Sequence, residues 1–316
     1  MKSILANDGM DASGIERLTA AGFNVQTQAI PQSELATHIN TYNIDALVVR
    51  SATKVRKELI EACPQLKIIA RGGVGMDNID VAFAESKGIQ VINTPAASSR
   101  SVAELVFAHA FSAVRFLYQS NREMPVRGTT AFNELKKKFS EGTELQGKTL
   151  GILGFGRIGQ AVAKMALGLG MQLRVYDPNI TKLKLAWSIA ASEITVEVQT
   201  ESLESVLQHA DIITCHVPGG ELIGPDQFLL LKPGVILINT SRGSVIHEHS
   251  LLQALDSKRV AHACLDVYAH EPQPDPSVIQ HPKLSLSPHI GAATREAQER
   301  IGIELAELLI KAFANG

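Results

Sequence analysis

The residues best suited to chemistry fall in order along the second half of the chain. Gly154-Phe155-Gly156-Arg157-Ile158-Gly159 is a glycine loop that follows an apolar run and opens a helical stretch. At this spacing Gly154 permits a tight turn, Gly156 lets the main chain approach a pyrophosphate, and Gly159 lets helix and strand pack closely. The unpaired N–H groups at the helix start would then bind phosphate. Such a loop alone is weak evidence. Asp177 strengthens it, because an acid roughly 20 residues downstream, directly after the next strand, accepts hydrogen bonds from the adenosine ribose hydroxyls and repels a 2′-phosphate. The expected cofactor is therefore NAD rather than NADP.

Three further polar residues, Arg242, Glu271 and His289, each follow a later apolar run. Imidazole titrates near neutrality, so His289 is suited to exchange the hydroxyl proton of a carbon that gives up hydride. A carboxylate beside the ring, Glu271, fixes its tautomer and favours imidazolium. Arg242 is suited to grip a planar 2-hydroxy or 2-keto carboxylate by paired hydrogen bonds and to polarise the carbonyl. Taken singly, each has an ordinary reading: a surface arginine, a loop glutamate beside Pro272, a histidine capping a turn. Their common position after strands, at the edge where open α/β sheets bind ligands, favours chemistry.

The elements that must position these groups read as two series of short β-branched runs alternating with helical stretches. The first series is 4–6, 46–49, 67–70 and 90–92; the second is 149–153, 172–176, 211–216, 235–239, 261–267 and 283–287. Alternation implies parallel sheets, and nearly continuous apolar runs imply strands covered on both faces. The expected fold class is α/β, a doubly wound parallel-sheet Rossmann cofactor domain (99–291) with a smaller flavodoxin-like α/β substrate domain (1–98 together with 292–316). Ser101-Val-Ala-Glu104 reads as a capping box opening a long apolar helix over 102–117, expected to be buried by more than its own domain. The stretch 294–313 reads as an amphipathic helix that packs back on the first domain.

Composition sets the limits. The chain has 316 residues, 45% apolar and 20% charged, with a formal charge of −2, which excludes disorder and disfavours nucleic acid or an anionic membrane as partner. Its three cysteines, Cys63, Cys215 and Cys264, encode neither a disulfide framework nor a metal ribbon, so a cytoplasmic protein without a structural metal is expected. The apolar stretch 102–117 is interrupted by Glu104, His109 and Arg115 and does not read as a membrane span.

Asn239-Thr-Ser-Arg-Gly243, Leu265-Asp-Val267 with Glu271-Pro272, and Ser287-Pro-His-Ile-Gly291, together with the glycine loop, resemble the signatures of the D-isomer-specific 2-hydroxy-acid dehydrogenases over nearly the whole chain. That resemblance implies the roles given to Arg242, Glu271 and His289. It extends the cofactor set to Arg157, Ile158, Val217, Thr240, Ser241 and Gly291, with Asp266 on the nicotinamide carboxamide. Val49-Arg-Ser-Ala-Thr-Lys-Val55, Arg71-Gly-Gly-Val-Gly-Met-Asp-Asn78, Asn93-Thr-Pro95 and 142–149 are similar to the phosphoglycerate-oxidising branch of the family.

The branch resemblance implies oxidation of D-3-phosphoglycerate to 3-phosphohydroxypyruvate, the entry to phosphorylated serine biosynthesis. It places the substrate phosphate on Arg50 and Arg71, the carboxylate on the main chain at Gly73, Val74 and Gly75, and a basic residue contributed by a partner subunit at Lys136; a homodimer or higher homo-oligomer is expected from the apolar 102–117 helix, whose ordinary reading is an interior helix. The ordinary readings are a surface salt bridge for the arginines and a solvated basic face for 136–138. Two stretches depart from the family pattern: 219–227 is short and 181–200 looks like an insertion. The C-terminal regulatory domain of many phosphoglycerate dehydrogenases is expected to be missing. The competing readings are a reductase of glyoxylate, hydroxypyruvate or another short 2-keto acid, and an NAD-sensing protein of corepressor type.

Overall fold

The computed structural model describes residues 1–315, with only the backbone described at Ile189 and Asn315. In chain order the first elements are β1 (Ser3–Ala6), α1 (Ala12–Ala20), β2 (Asn24–Gln26), α2 (Leu35–Thr41), β3 (Ala46–Val49), α3 (Lys57–Ala62), β4 (Ile68–Arg71), α4 (Val81–Ser86) and β5 (Gln90–Asn93). Then come α5 (Ser99–Val114), α6 (Leu117–Arg127), α7 (Phe132–Lys138), β6 (Thr149–Leu153), α8 (Arg157–Gly168), β7 (Gln172–Tyr176), β8 (Lys182–Ile189) and β9 (Ser192–Gln199). The remainder is α9 (Leu203–His209), β10 (Ile212–Cys215), α10 (Pro225–Leu230), β11 (Val235–Asn239), α11 (Glu248–Asp256), β12 (Val260–Leu265), α12 (Pro276–Ile279), β13 (Leu284–Leu286) and α13 (Arg295–Asn315). The chain forms two compact units, Met1–Ser99 with Ala292–Gly316, and Arg100–Gly291.

The first unit is a five-stranded parallel sheet in the order β2-β1-β3-β4-β5. This is the flavodoxin-like order, with ligands expected at the strands' carboxyl ends. Leu35, Ile39, Leu59 and Ile60 cover one face; Leu18, Ile301, Leu305 and Leu309 cover the other, so α13 closes this unit by burying its apolar stripe beside β1, β3 and β4. The edge strand β2 has no apolar run to announce it, and its partly exposed residues pair only with β1.

The second unit is a six-stranded parallel sheet in the order β13-β12-β11-β10-β6-β7. One face packs Val206, Phe228, Leu251 and Leu255; the other packs Val106, Phe107, Val162 and Ala166, a doubly wound arrangement. All four residues of β10 are buried, as a strand covered on both faces requires. The order reverses at β6: β7 lies on one side and β10 on the other, which opens a crevice at their carboxyl ends.

Two local expectations are corrected. The helix opens at Ser99, so Ser101 is not an N-cap; its hydroxyl donates to the Gly291 carbonyl at 2.7 Å, and Glu104 pairs with Arg100 instead. The helix does not run on to residue 117. Phe116 takes a left-handed conformation (φ 51°) and α6 leaves at 58°. Among the described residues no single helix is long and apolar enough to cross a membrane, although this bent pair passes by length and composition. The stretch 181–200, expected as an insertion with no element assigned to it, folds as an antiparallel hairpin, β8 on β9, paired from Lys182 with Gln199 to Ile189 with Ser192. Leu185 and Val198 point from it into the apolar cluster that holds α8.

Candidate active site

The glycine loop leaves β6 at Gly154, whose φ of 99° is a conformation that favours glycine. A side chain there would also meet the His216 carbonyl oxygen at 2.7 Å, so the loops after β6 and β10 touch main chain to main chain. Above Gly156 the space is open, with nothing within 4 Å of where a Cβ would stand. Arg157 and Ile158 begin α8 beside that opening, and Gly159 is buried under it. Asp177 lies just past the end of β7. Its Oδ2 accepts from Phe155 N at 2.7 Å, and its Oδ1 accepts from Asn179 N at 2.8 Å and Ile180 N at 3.1 Å. The acid thus shapes the glycine loop directly, and Oδ2, with one donor on it, keeps lone-pair capacity for a hydroxyl donor.

Across the crevice, Val217 is half-buried, and Thr240 and Ser241 are buried at the end of β11. Ser241 is tied to Asn239 Oδ1 through both its N–H (3.1 Å) and its hydroxyl (2.8 Å). Thr240 Oγ1 and His216 Nδ1 are buried polar atoms without a hydrogen-bond partner, a state that costs free energy unless something supplies one. An open anion-binding helix start, an acid beyond the next strand and an orphaned hydroxyl across the gap fit a dinucleotide.

The candidate catalytic residues come to one edge because β11, β12 and β13 lie side by side, with Asn239 opposite Leu265 and Leu265 opposite Leu286. Arg242 Nη1 donates to Ser241 O at 2.7 Å, and Arg242 O accepts from Asn239 Nδ2 at 2.8 Å. At the next residue, a side chain on Gly243 would lie 2.0 Å from Tyr268 O, so the β11 loop is pressed against the loop that carries Glu271. Glu271 Oε1 accepts from Tyr268 N at 3.0 Å, and its Oε2 holds His289 Nδ1 at 2.7 Å. With Nδ1 engaged, Nε2 is the imidazole nitrogen left for a substrate. His289 sits in a left-handed conformation (φ 55°), and Asp266 fixes the turn: Oδ1 accepts from Ile290 N and Oδ2 from Gly291 N, both at 2.9 Å. Arg242, Glu271 and His289 are thus held around one strand edge.

Buried neighbours set the electrostatics. Burial, then the nearby charges of Asp266, Glu271 and Glu248, pushes the Tyr268 hydroxyl up to about 12, so it stays protonated and donates to Ser287 O at 2.9 Å. Burial pulls His216 down to about 3, leaving a neutral imidazole that bonds Thr214 Oγ1. Sequence reasoning missed Tyr268, Asn239 and Ser287 as positioning groups. Their partners are remote in sequence or on main chain, and only strand register brings them together.

In the first unit Arg50 follows β3 and Arg71 ends β4, with Val49 and Arg71 in register, so the two arginines share one carboxyl edge. Arg50 Cγ lies 3.6 Å from a Cβ placed on Gly72, and the Arg71 guanidinium folds over Gly73. Asp8 Oδ2 accepts from Arg50 N, and Asn78 Nδ2 donates to Arg50 O, which fix the β3 loop. Of the residues expected to bind the carboxylate, Gly73 is buried with its N–H on Thr94 Oγ1 at 2.8 Å, Val74 is exposed and Gly75 is partly exposed. Lys136 is exposed on α7. No group of His, Cys, Asp or Glu suited to a metal occurs among the described residues.

Residues 107–291 match the family described as D-isomer specific 2-hydroxyacid dehydrogenase, NAD binding domain. The chain is 41% identical to the hydroxypyruvate reductase of Thermotoga maritima over 96% of both proteins. It is 38% identical to the D-3-phosphoglycerate dehydrogenase of Bacillus subtilis, matching over its whole length but covering only 58% of that longer protein. The NAD-bound 3-phosphoglycerate dehydrogenase of Entamoeba histolytica superposes on the whole chain with a TM-score of 0.77 at 26% identity, over 96% of that structure. With the glycine loop, Asp177 and the strand-end groups in place, the chain belongs to the D-isomer specific 2-hydroxyacid dehydrogenases, NAD-dependent oxidoreductases.

Proposed function

We propose that the chain interconverts D-3-phosphoglycerate and 3-phosphohydroxypyruvate, with Arg100–Gly291 as the cofactor-binding unit and Met1–Ser99 with Ala292–Gly316 as the substrate-binding unit. The observation that carries this reading is the pair Arg50 and Arg71 at one sheet edge, a clamp for a dianion with Val74 and Gly75 amides alongside for a carboxylate. Asp177 favours NAD over a cofactor with a 2′-phosphate, and Thr240, Asp266 and Gly291 line the nicotinamide side. Bound NAD supplies the hydride acceptor. Nε2 of His289 takes the C2 hydroxyl proton during oxidation and returns it during reduction, while Glu271 on Nδ1 holds the tautomer. Arg242 binds the substrate carboxylate and polarises the keto oxygen.

A homodimer completes the proposal, in a cytoplasmic setting and in serine biosynthesis. No residue of α6 is buried, and Leu117 (59% exposed), Val126 (78%) and Phe132 (57%) leave apolar surface on α6 and α7, the helix that carries Lys136. A second reading, reduction of hydroxypyruvate or glyoxylate, is favoured by the 41% identity to a hydroxypyruvate reductase of nearly equal length.

The test is NADH oxidation by the purified chain across phosphohydroxypyruvate, hydroxypyruvate and glyoxylate. The first should be preferred, and Arg50→Ala should reduce its kcat/KM by about 10–100-fold, the worth of a charge-assisted contact, without changing the KM for hydroxypyruvate. Turnover of the unphosphorylated acids alone establishes the second reading. NADH binding with negligible turnover of all three points to a sensing role.

A further inference from the structure

An apolar helix has little reason to bury an imidazole. His109 is nevertheless buried in α5, among Val106, Phe107 and Ala113, and a buried polar group is tolerated only when hydrogen-bonded. Its Nε2 lies 3.0 Å from Ser287 Oγ, 178 residues away in sequence. Ser287 Oγ in turn lies 2.6 Å from Asp266 Oδ1. Asp266 accepts main-chain N–H bonds on both oxygens, so the single hydroxyl proton of Ser287 is directed to it. Ser287 Oγ must then accept from the imidazole, which assigns the proton of neutral His109 to Nε2.

The chain of donors is therefore unidirectional: His109 to Ser287, Ser287 to Asp266. At Asp266 it meets the amides of Ile290 and Gly291, the two residues after His289. Burial lowers the affinity of His109 for a second proton and the Asp266 charge only partly opposes this, so the neutral donor persists. The same helix holds the same segment once more, through Ser101 Oγ to Gly291 O at 2.7 Å, roughly 12 Å back along α5.

We propose that His109 is a positioning residue for hydride transfer: as an Nε2–H donor it locks the Ser287 hydroxyl onto Asp266, and so holds the 289–291 turn that presents the His289 imidazole. This rests on the roles given above to Asp266 and His289.

The experiment compares His109→Leu, His109→Gln and Ser287→Ala by amide hydrogen exchange at Ile290 and Gly291 in the cofactor-free protein, and by steady-state kinetics. Leucine fills the apolar site without a donor, whereas glutamine keeps a donor near the Nε2 position. Exchange at 290–291 should accelerate about 10-fold in His109→Leu and Ser287→Ala, with kcat falling by a similar factor and KM nearly unchanged. His109→Gln should recover most of both, and His109→Leu combined with Ser287→Ala should be no worse than Ser287→Ala alone.

Unchanged exchange in both donor-deleted variants overturns the hydrogen-bond chain, and Ser287→Ala decides this even if His109→Leu does not fold. Faster exchange with undiminished kcat, or glutamine behaving like leucine, overturns the positioning role. A wild-type protein that turns over no 2-hydroxy or 2-keto acid refutes the underlying dehydrogenase assignment of His289, a failure visible before any variant is made.

Discussion

Glu271→Gln isolates the charge beside His289. Glu271 Oε2 and His289 Nδ1 are 2.7 Å apart, with the side chains 35% and 49% exposed, so the pair sits between bulk water and the protein interior. A unit-charge contact in that range is worth about 1–4 kcal/mol as the effective dielectric falls from about 80 to about 20. Glutamine keeps an acceptor for Nδ1–H and removes only the charge, which on the proposed mechanism matters most when the ring becomes imidazolium during substrate oxidation. We take about 2 kcal/mol of lost transition-state stabilisation, a reduction of about 30-fold in kcat/KM. Glu271→Ala should lose more, because the ring also loses its orienting acceptor and Tyr268 N its partner. The assay is steady-state reduction of the preferred 2-keto acid, with NADH affinity read separately by fluorescence. NADH binding should change less than about 2-fold, since no hydrogen bond ties Glu271 to the glycine loop. A Glu271→Gln enzyme with full kcat/KM, or one whose NADH affinity falls as far as its rate, would refute the assignment.

Gly243→Ala should collapse kcat by about 100-fold or more while sparing NADH binding. Its Cβ would stand 1.9 Å from Tyr268 C, forcing apart the loops of Arg242 and Glu271 at about 1–3 kcal/mol of overpacking strain, which thermal unfolding would register. Asp177→Asn should raise the KM for NADH about 10–100-fold and narrow the preference over NADPH. An amide cannot replace a carboxylate that accepts from Phe155, Asn179 and Ile180 at once, and the ratio of kcat/KM for the two nucleotides measures this. Acid should destabilise the fold through His216 and His262, which burial holds at about 3 and about 4 against about 6.5 unfolded. Because the unfolded chain binds those protons first, this stability is whole above pH of about 6.5 and is lost as pH falls toward about 4. Two such groups give up about 3 kcal/mol between pH of about 6.5 and 5, seen as a falling urea midpoint. His262→Phe should remove about one proton from the slope.

The strands were legible because parallel strands covered on both faces must be continuous apolar runs; all six of the second sheet and four of the five in the first occur where such runs predict them. The glycine loop, Asp177 and the strand-end groups were legible for a related reason: topology alone sends them to one edge. The hairpin at 181–200 was not assigned, although Lys182-Leu-Lys-Leu-Ala-Trp187 alternates with period two, because a helical connection is the usual element between parallel strands. The break at Phe116 carries no Gly or Pro to announce it. The long-range ties through Ser287 and Tyr268 depend on register, which no local pattern encodes.

The family's uncertainty over substrate has a physical origin in how the chain divides its labour. Every group assigned to proton movement or carboxylate polarisation is fixed inside Arg100–Gly291, by bonds such as Asn239 to Arg242, Glu271 to His289 and Asp266 to Gly291. The groups that would distinguish a phosphorylated acid lie in the other unit, on the loops after β3 and β4, which are held by Asp8, Asn78 and Thr94. On the proposed reading, the chemistry persists while the selecting loops change. A chain can therefore resemble a hydroxypyruvate reductase and phosphoglycerate dehydrogenases almost equally. Exchanging residues 50–54 and 71–78 for those of an unphosphorylated-acid reductase should then redirect kcat/KM between substrates and leave NADH affinity as it was. Loss of NADH binding in that exchange would show that selection and chemistry are not separable in this fold.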